Sequence, residues 1–213
     1  MKNINTYITE KLKLNKDSGM NHYKYHPETK SELLDLLKKL IDERGKDADL
    51  NDIDVSKITD MELLFQRFYP KIQNIDISEW DVSNVVNMKG MFWDCEKFNC
   101  DLSMWDVGKC TDMSNLFSRC RSFNCDLSEW DVSNVKNMDS MFYACKEFES
   151  DLSDWDVSNC ESMVCMFSDC RKFKSDLSGW DVKITDVKNI SWMFDDCDSF
   201  GDYPKWYNKI YNS

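Results

Sequence analysis

Residues 126–148 read Asp-Leu-Ser-Glu-Trp-Asp-Val-Ser-Asn-Val-Lys-Asn-Met-Asp-Ser-Met-Phe-Tyr-Ala-Cys-Lys-Glu-Phe, and the pattern returns 25 residues to either side. Trp80, Trp105, Trp130, Trp155 and Trp180 share one column, each followed by Asp and Val. A fixed period of this length marks a stack of repeated units. Two spacings occur within one unit. Leu127, Trp130 and Val132 lie among polar neighbours, which suits a brief strand. Val135, Met138, Met141, Phe142, Cys145 and Phe148 follow at three- and four-residue spacing, which predicts a helix of roughly three turns. Neither element buries its apolar face alone. Stacked copies bury both, with strands about 4.8 Å apart in a parallel sheet.

Outward from this unit, Asp49-Leu-Asn-Asp-Ile-Asp-Val-Ser matches the pattern with Ile53 in the tryptophan column. About six coils follow, starting near residues 49, 76, 101, 126, 151 and 176. Two extra residues interrupt the first near Pro70, and two more enter the last between Val182 and Trp192. Terminal repeats are commonly atypical because one side meets a cap instead of a copy. Before the stack, Thr29-Lys-Ser-Glu fits a capping box. Leu33, Leu34, Leu36, Leu37, Leu40 and Ile41 then give a broad apolar face, and Gly45 is placed to end the helix. This predicts a helix over 29–44, with short amphipathic turns over 1–14 and an extended stretch over 20–26. The division is an N-terminal cap (1–48), a repeat solenoid (49–200) and an aromatic C-terminal cap (201–213).

The pattern Asp-Leu-Ser-x-Trp-Asp-Val-Ser-x-Val-x-x-Met-x-x-Met-Phe-x-x-Cys-x-x-Phe resembles the BspA-like leucine-rich-repeat family, of the mycoplasma-type domain of unknown function. That family is common in bacteria such as mycoplasmas, spirochaetes and gut anaerobes, and in some viruses. The resemblance covers 49–200 and implies a solenoid and, for some members, adhesion to host proteins. The expected fold class is therefore α/β, a leucine-rich-repeat-like solenoid of about six 25-residue strand–helix coils, capped at both ends.

The chain has 213 residues, a formal charge of −12 and a pI near 4.6. Such a surface repels phosphate backbones and anionic lipid, so direct nucleic-acid phosphate binding and membrane association are not expected. No window is long and apolar enough for a membrane span, and 1–14 lacks the apolar core of a secretory signal. Residence in the cytoplasm follows as an expectation, with surface or virion association left open. The ten cysteines should then be reduced thiols.

The columns carry the candidate sites. The tryptophans suit packing between coils better than presentation to a sugar or peptide, since Ile53 replaces one of them. The methionine and phenylalanine columns are core. Asp76, Asp101, Asp126, Asp151 and Asp176 form one acidic column, and Asp81, Asp106, Asp131, Asp156 and Asp181 a second. Like charges about 5 Å apart repel by roughly 0.8 kcal/mol in water and about 3 kcal/mol at an effective dielectric of 20. Such ladders must be solvated, bonded to backbone N–H groups as turn caps, or neutralised by a cation or a basic partner. Calcium is the sharper alternative to capping, but neither an EF-hand loop nor a Gly-rich nonapeptide is present.

Cys95, Cys120, Cys145, Cys170 and Cys197 recur once per coil without a Cys-x-x-Cys knuckle, so zinc is not indicated. Only two histidines exist, His22 and His26, and no nucleophile–base pair or phosphate loop is evident. No catalytic role, cofactor or metal is expected. Positions just before each tryptophan vary while the core does not: Glu79, Met104, Glu129, Asp154 and Gly179, with Lys89, Ser114, Asp139 and Val164 elsewhere in the coil. Glu79, Met104, Glu129 and Asp154, with the Asp81 to Asp181 column, are the candidate partner-binding residues. The expected function is a bacterial or bacteriophage scaffold binding a protein of unknown identity. Two alternatives stand beside it: an acidic decoy or inhibitor of a nucleic-acid-handling or host-defence protein, and a surface adhesin for host matrix protein or carbohydrate.

Overall fold

The computed structural model describes residues 23–68 and 72–212. The turns expected over 1–14, and the interruption at Pro70, lie outside the described residues. Of the extended stretch over 20–26, residues 23–26 are described, and Tyr25 forms a parallel bridge to Ile53.

Helix α1 spans Lys30–Arg44. Thr29 caps it by accepting the Glu32 N–H at 3.2 Å, while the Glu32 carboxylate accepts from the Glu28 N–H at 2.7 Å. The reciprocal bond therefore falls one residue earlier than in the standard capping box. Gly45 closes the helix at φ 83°, its N–H bonded to the Ile41 carbonyl. Leu33, Leu37, Leu40 and Ile41 are buried in the common core and seal the first coil.

The repeats overturn the expected fold class. Among the described residues there is no β-strand, and the helices are α1, α2 (Lys205–Tyr211) and two 3-10 turns, Gln66–Phe68 and Val187–Ile190. The structure is not an α/β leucine-rich-repeat-like solenoid of strand–helix coils. The expected sheet is reduced to single-residue parallel bridges, such as Asp60 to Asn87, Asn87 to Asp112 and Asp112 to Asn137. The expected helix over 135–148 is a run of tight turns.

The reason is local. In five of the coils two residues four apart adopt left-handed φ between 53° and 63°: Gly90 and Asp94, Asn115 and Arg119, Ser140 and Ala144, Cys165 and Asp169, Trp192 and Asp196; the first coil has Leu63. A right-handed helix cannot run through such positions. The backbone N–H groups instead alternate in direction. Met91, Trp93 and Cys95 donate three residues back, to Met88, Gly90 and Phe92, at 2.9–3.1 Å. Met88, Gly90, Phe92 and Asp94 donate across to Asp112, Ser114, Leu116 and Ser118 of the next coil at 2.8–3.0 Å. The same alternation holds at 113–120, 138–145 and 163–170. Successive three-residue turns return apolar side chains to the interior at nearly the spacing of a helix, which is why the two patterns look alike in sequence.

Inside, Phe65, Phe92, Phe117, Phe142, Phe167 and Phe194 form one continuous ring stack, with centroids 5.3–5.8 Å apart and planes within 16°. Phe98, Phe123, Phe148, Phe173 and Phe200 form a second, at 5.8–6.1 Å. Within each coil the two stacks touch at 3.9–4.3 Å. Each aromatic pair adds about 0.5–1.5 kcal/mol beyond its buried area.

The extra residues of the last coil are taken up at its corner, where Asp186 caps the 3-10 turn Val187–Ile190. The ladder keeps its register: Met163, Cys165, Phe167 and Asp169 bond to Asn189, Ser191, Met193 and Asp195. Helix α2 then lays Trp206 on Trp180, rings 6.2 Å apart, and sets Tyr207 edge-on to Phe194 at 5.1 Å.

Glycine at a left-handed position removes a steric cost of about 1–2 kcal/mol, offset in part by its greater freedom in the unfolded chain. Ser140→Gly (φ 54°) is therefore expected to raise the unfolding free energy by about 0.5–1 kcal/mol in urea titration. Gly90→Ala should lower it, because φ is 58° there and the new methyl would lie 2.7 Å from the Leu63 side chain.

Candidate interaction face

The tryptophan column is interior. Trp80, Trp105, Trp130, Trp155 and Trp180 are only 3–4% exposed. Each indole N–H donates into the coil before it, to the carbonyls of Leu50, Ile77, Leu102, Leu127 and Leu152, at 2.8–3.2 Å. Trp206 continues the row from α2, donating to Leu177 at 2.8 Å. Its place in this column was not read from the sequence, although a Trp 26 residues after Trp180 was the available signal.

The thiols are also structural. Cys120, Cys145, Cys170 and Cys197 donate S–H to the carbonyls of Phe92, Phe117, Phe142 and Phe167 at 2.8–3.0 Å. The second column, in which cysteine gives way to serine, has one task throughout. Cys125, Ser150 and Ser175 accept the N–H of Leu102, Leu127 and Leu152 at 2.9–3.1 Å. All ten cysteines are free thiols. Burial pushes Cys100 up to about 11, and Cys95, Cys110 and Cys160 up to about 12.

With the indoles and leucines turned inward, the rest of each Asp-Leu-Ser-x-Trp-Asp segment faces out. Glu79, Met104, Glu129 and Asp154 are exposed, as are Asp81, Asp106, Asp131, Asp156 and Asp181. Across segments 76–83, 101–108, 126–133, 151–158 and 176–183, every charged side chain except Lys183 is a carboxylate. Both aspartate columns cap turns. Asp76, Asp101, Asp126, Asp151 and Asp176 accept the N–H two residues on, at 2.9–3.1 Å. Asp81, Asp106, Asp131 and Asp156 do the same. Asp181 is met by Lys183 at 3.4 Å. A methyl built on Gly108 would lie 3.3 Å from both Asp106 Oδ1 and Asp131 Oδ2, so carboxylates of adjacent coils close on one turn.

Turn capping is thus seen at nine of the ten positions of the two columns, all but Asp181. Residues 94–96, 119–121, 147–149 and 172–174 differ in electrostatics. There, acids of one coil meet bases of a neighbour: Asp94 with Arg119, Glu96 with Arg121, Glu147 with Lys172 and Glu149 with Lys174. In the first coil Asp52 is paired with Arg44 and Lys24, and Asp54 lies 3.2 Å from His26 Nδ1. Coils two to six thus each present a segment whose charged side chains are all carboxylates apart from Lys183.

No helix among the described residues is long and apolar enough to cross a membrane. A protein-family model described as a mycoplasma protein of unknown function, DUF285, matches residues 36–147 and 125–212. No curated protein and no solved structure matches the chain.

Two solution properties follow from this geometry. Hydrogen bonds hold several carboxyls below the usual carboxylate range: Asp52 through Arg44, Asp151 through the Ser175 hydroxyl, Asp156 through the Ser158 hydroxyl and Asp176 through the Ser178 N–H. A depressed folded-state value contributes stability above the unfolded value, near 3.9 for Asp, and that contribution fades as pH falls through the folded value. The urea midpoint should therefore hold between pH 7 and about 5 and drop below about pH 4; a midpoint still rising at pH 3 would contradict these bonds. Mass-spectrometric mapping after brief alkylation at pH 8 should find label first at Cys165 and Cys197, the two thiols that are not fully buried. The other eight should react only in denaturant.

Proposed function

The chain belongs to the mycoplasma family of unknown function DUF285, and from that premise we propose that it is a non-catalytic protein-binding scaffold whose partner brings a basic surface to the carboxylate face. One observation carries this: at residues 94–96 and 147–149 acids are matched by bases of the next coil, whereas the five Trp-Asp segments carry carboxylates and a single base, Lys183. A concentrated field of one sign speeds encounter with an oppositely charged surface and rejects like-charged ones. Met104, 43% exposed in the middle of the pre-tryptophan row, adds an apolar contact among the acids.

The likeness of the repeat to BspA-like proteins, some of which adhere to host proteins, supports binding over catalysis. A carbohydrate adhesin using the tryptophan column finds no support, because those indoles are spent inside the stack. The ten free thiols, some of them S–H donors, support residence in the reducing cytoplasm. A decoy for a nucleic-acid-binding protein would use the same carboxylates, and differs in what competes for the partner.

Glu79, Glu129 and Asp154 cap no turn through their side chains, so Glu79→Lys/Glu129→Lys/Asp154→Lys reverses the row without removing a cap. The expected result is an unchanged thermal midpoint and loss of the basic proteins that the wild-type chain retains from mycoplasma lysate below about 0.5 M salt. Retention of the same proteins by the variant would refute the proposal. Selective release by DNA, with no release by an acidic polypeptide, would favour the decoy.

A further inference from the structure

The cross-coil ladder ends on a row of unused donors. In every earlier coil, alternate N–H groups of the Met-Phe segment reach a carbonyl of the next coil, as Cys165, Phe167 and Asp169 reach Ser191, Met193 and Asp195. The equivalent groups of the last coil are those of Trp192, Phe194 and Asp196, and none has an acceptor among the described residues. Backbone N–H groups without a protein partner are uncommon in folded proteins, and three in one row form an open donor edge. The C-terminal cap does not supply the acceptors: Tyr203 and Tyr207 pack on the Phe194 ring, and Trp206 bonds to Leu177.

Two further observations describe what fits. Trp192 is 64% exposed and holds φ 54°, a conformation costly for a bulky residue and one that Gly90 and Asn115 fill cheaply in other coils. Asp195, Asp196 and Asp198, all exposed, follow it within six residues. A donor edge needs an acceptor chain with carbonyls at alternate residues, which is the pattern an extended segment adds to an open sheet edge. The carboxylates and the exposed indole face favour cations on that segment. A second copy stacked head to tail is disfavoured, because α1 already occupies the opposite end of the stack over the first coil.

We propose that this edge binds an extended, lysine- or arginine-bearing segment of a partner protein, its alternate carbonyls receiving the N–H groups of Trp192, Phe194 and Asp196 and its cations meeting the Trp192 ring and the neighbouring aspartates. The site is separate from the carboxylate face, and either can fail without the other. The test is amide exchange by NMR on the full chain, with acetyl-Lys-Val-Lys-Val-Lys-Val-Lys-amide as probe and spermine, a polycation without carbonyls, as control. Exchange at Trp192, Phe194 and Asp196 is expected to slow by at least about fivefold with the peptide and to stay unchanged with spermine. Trp192→Gly should raise the thermal midpoint by relieving the backbone, yet reduce the peptide's protection of the other two amides. Equal protection by spermine, peptide-induced shifts confined to the Asp81 to Asp181 row, or unreduced protection in Trp192→Gly would each overturn the proposal. Protection that grows with protein concentration alone would also overturn it, in favour of self-stacking.

Discussion

The alternation of backbone N–H groups, one closing its own turn and the next crossing to the following coil, is the constraint on which the structure depends. It divides the polar groups of each Met-Phe segment evenly between local and long-range partners, so no segment is satisfied alone. Because every cross-coil bond joins equivalent positions, side chains one period apart must lie above one another. The phenylalanine stacks, the indole row and the S–H to carbonyl row all inherit their register from that rule. Cohesion is therefore a nearest-neighbour property, repeated from coil to coil.

The same registry sets an electrostatic problem on the outer face. Identical sequence positions place identical charges side by side, and the repulsion grows with each added coil. Turn capping answers part of it, since aspartates such as Asp106, Asp131 and Asp156 accept the N–H two residues on. At residues 94–96, 119–121, 147–149 and 172–174 the sequence varies between acid and base, and neighbouring coils pair their charges. Neighbouring coils thus cancel charge at those positions, while the Trp-Asp segments stay almost wholly acidic.

Much of this was legible in the residues. The 25-residue column of tryptophans announced stacking, Thr29 to Gly45 marked the capped helix, and Ile53 in the indole column marked that column as core. The strand–helix unit was misread because consecutive three-residue turns and an α-helix bury apolar residues at nearly the same spacing. The discriminating signal was present: Asn87, Asp112 and Asn137 each accept the N–H two residues on and start the turn run. Gly90, Asn115 and Asp94 also stand where φ is positive. The charge-matched positions and the unfilled donors of the last coil were not legible, since both depend on which coils adjoin and where the stack ends.

The two extra residues absorbed at Val187–Ile190 leave every downstream rung in place. That corner behaves as a slip joint: length can vary there while the aromatic spine and its hydrogen-bonded rungs keep their spacing. The outer contour can therefore be remodelled by lengthening this bend without renegotiating the interior.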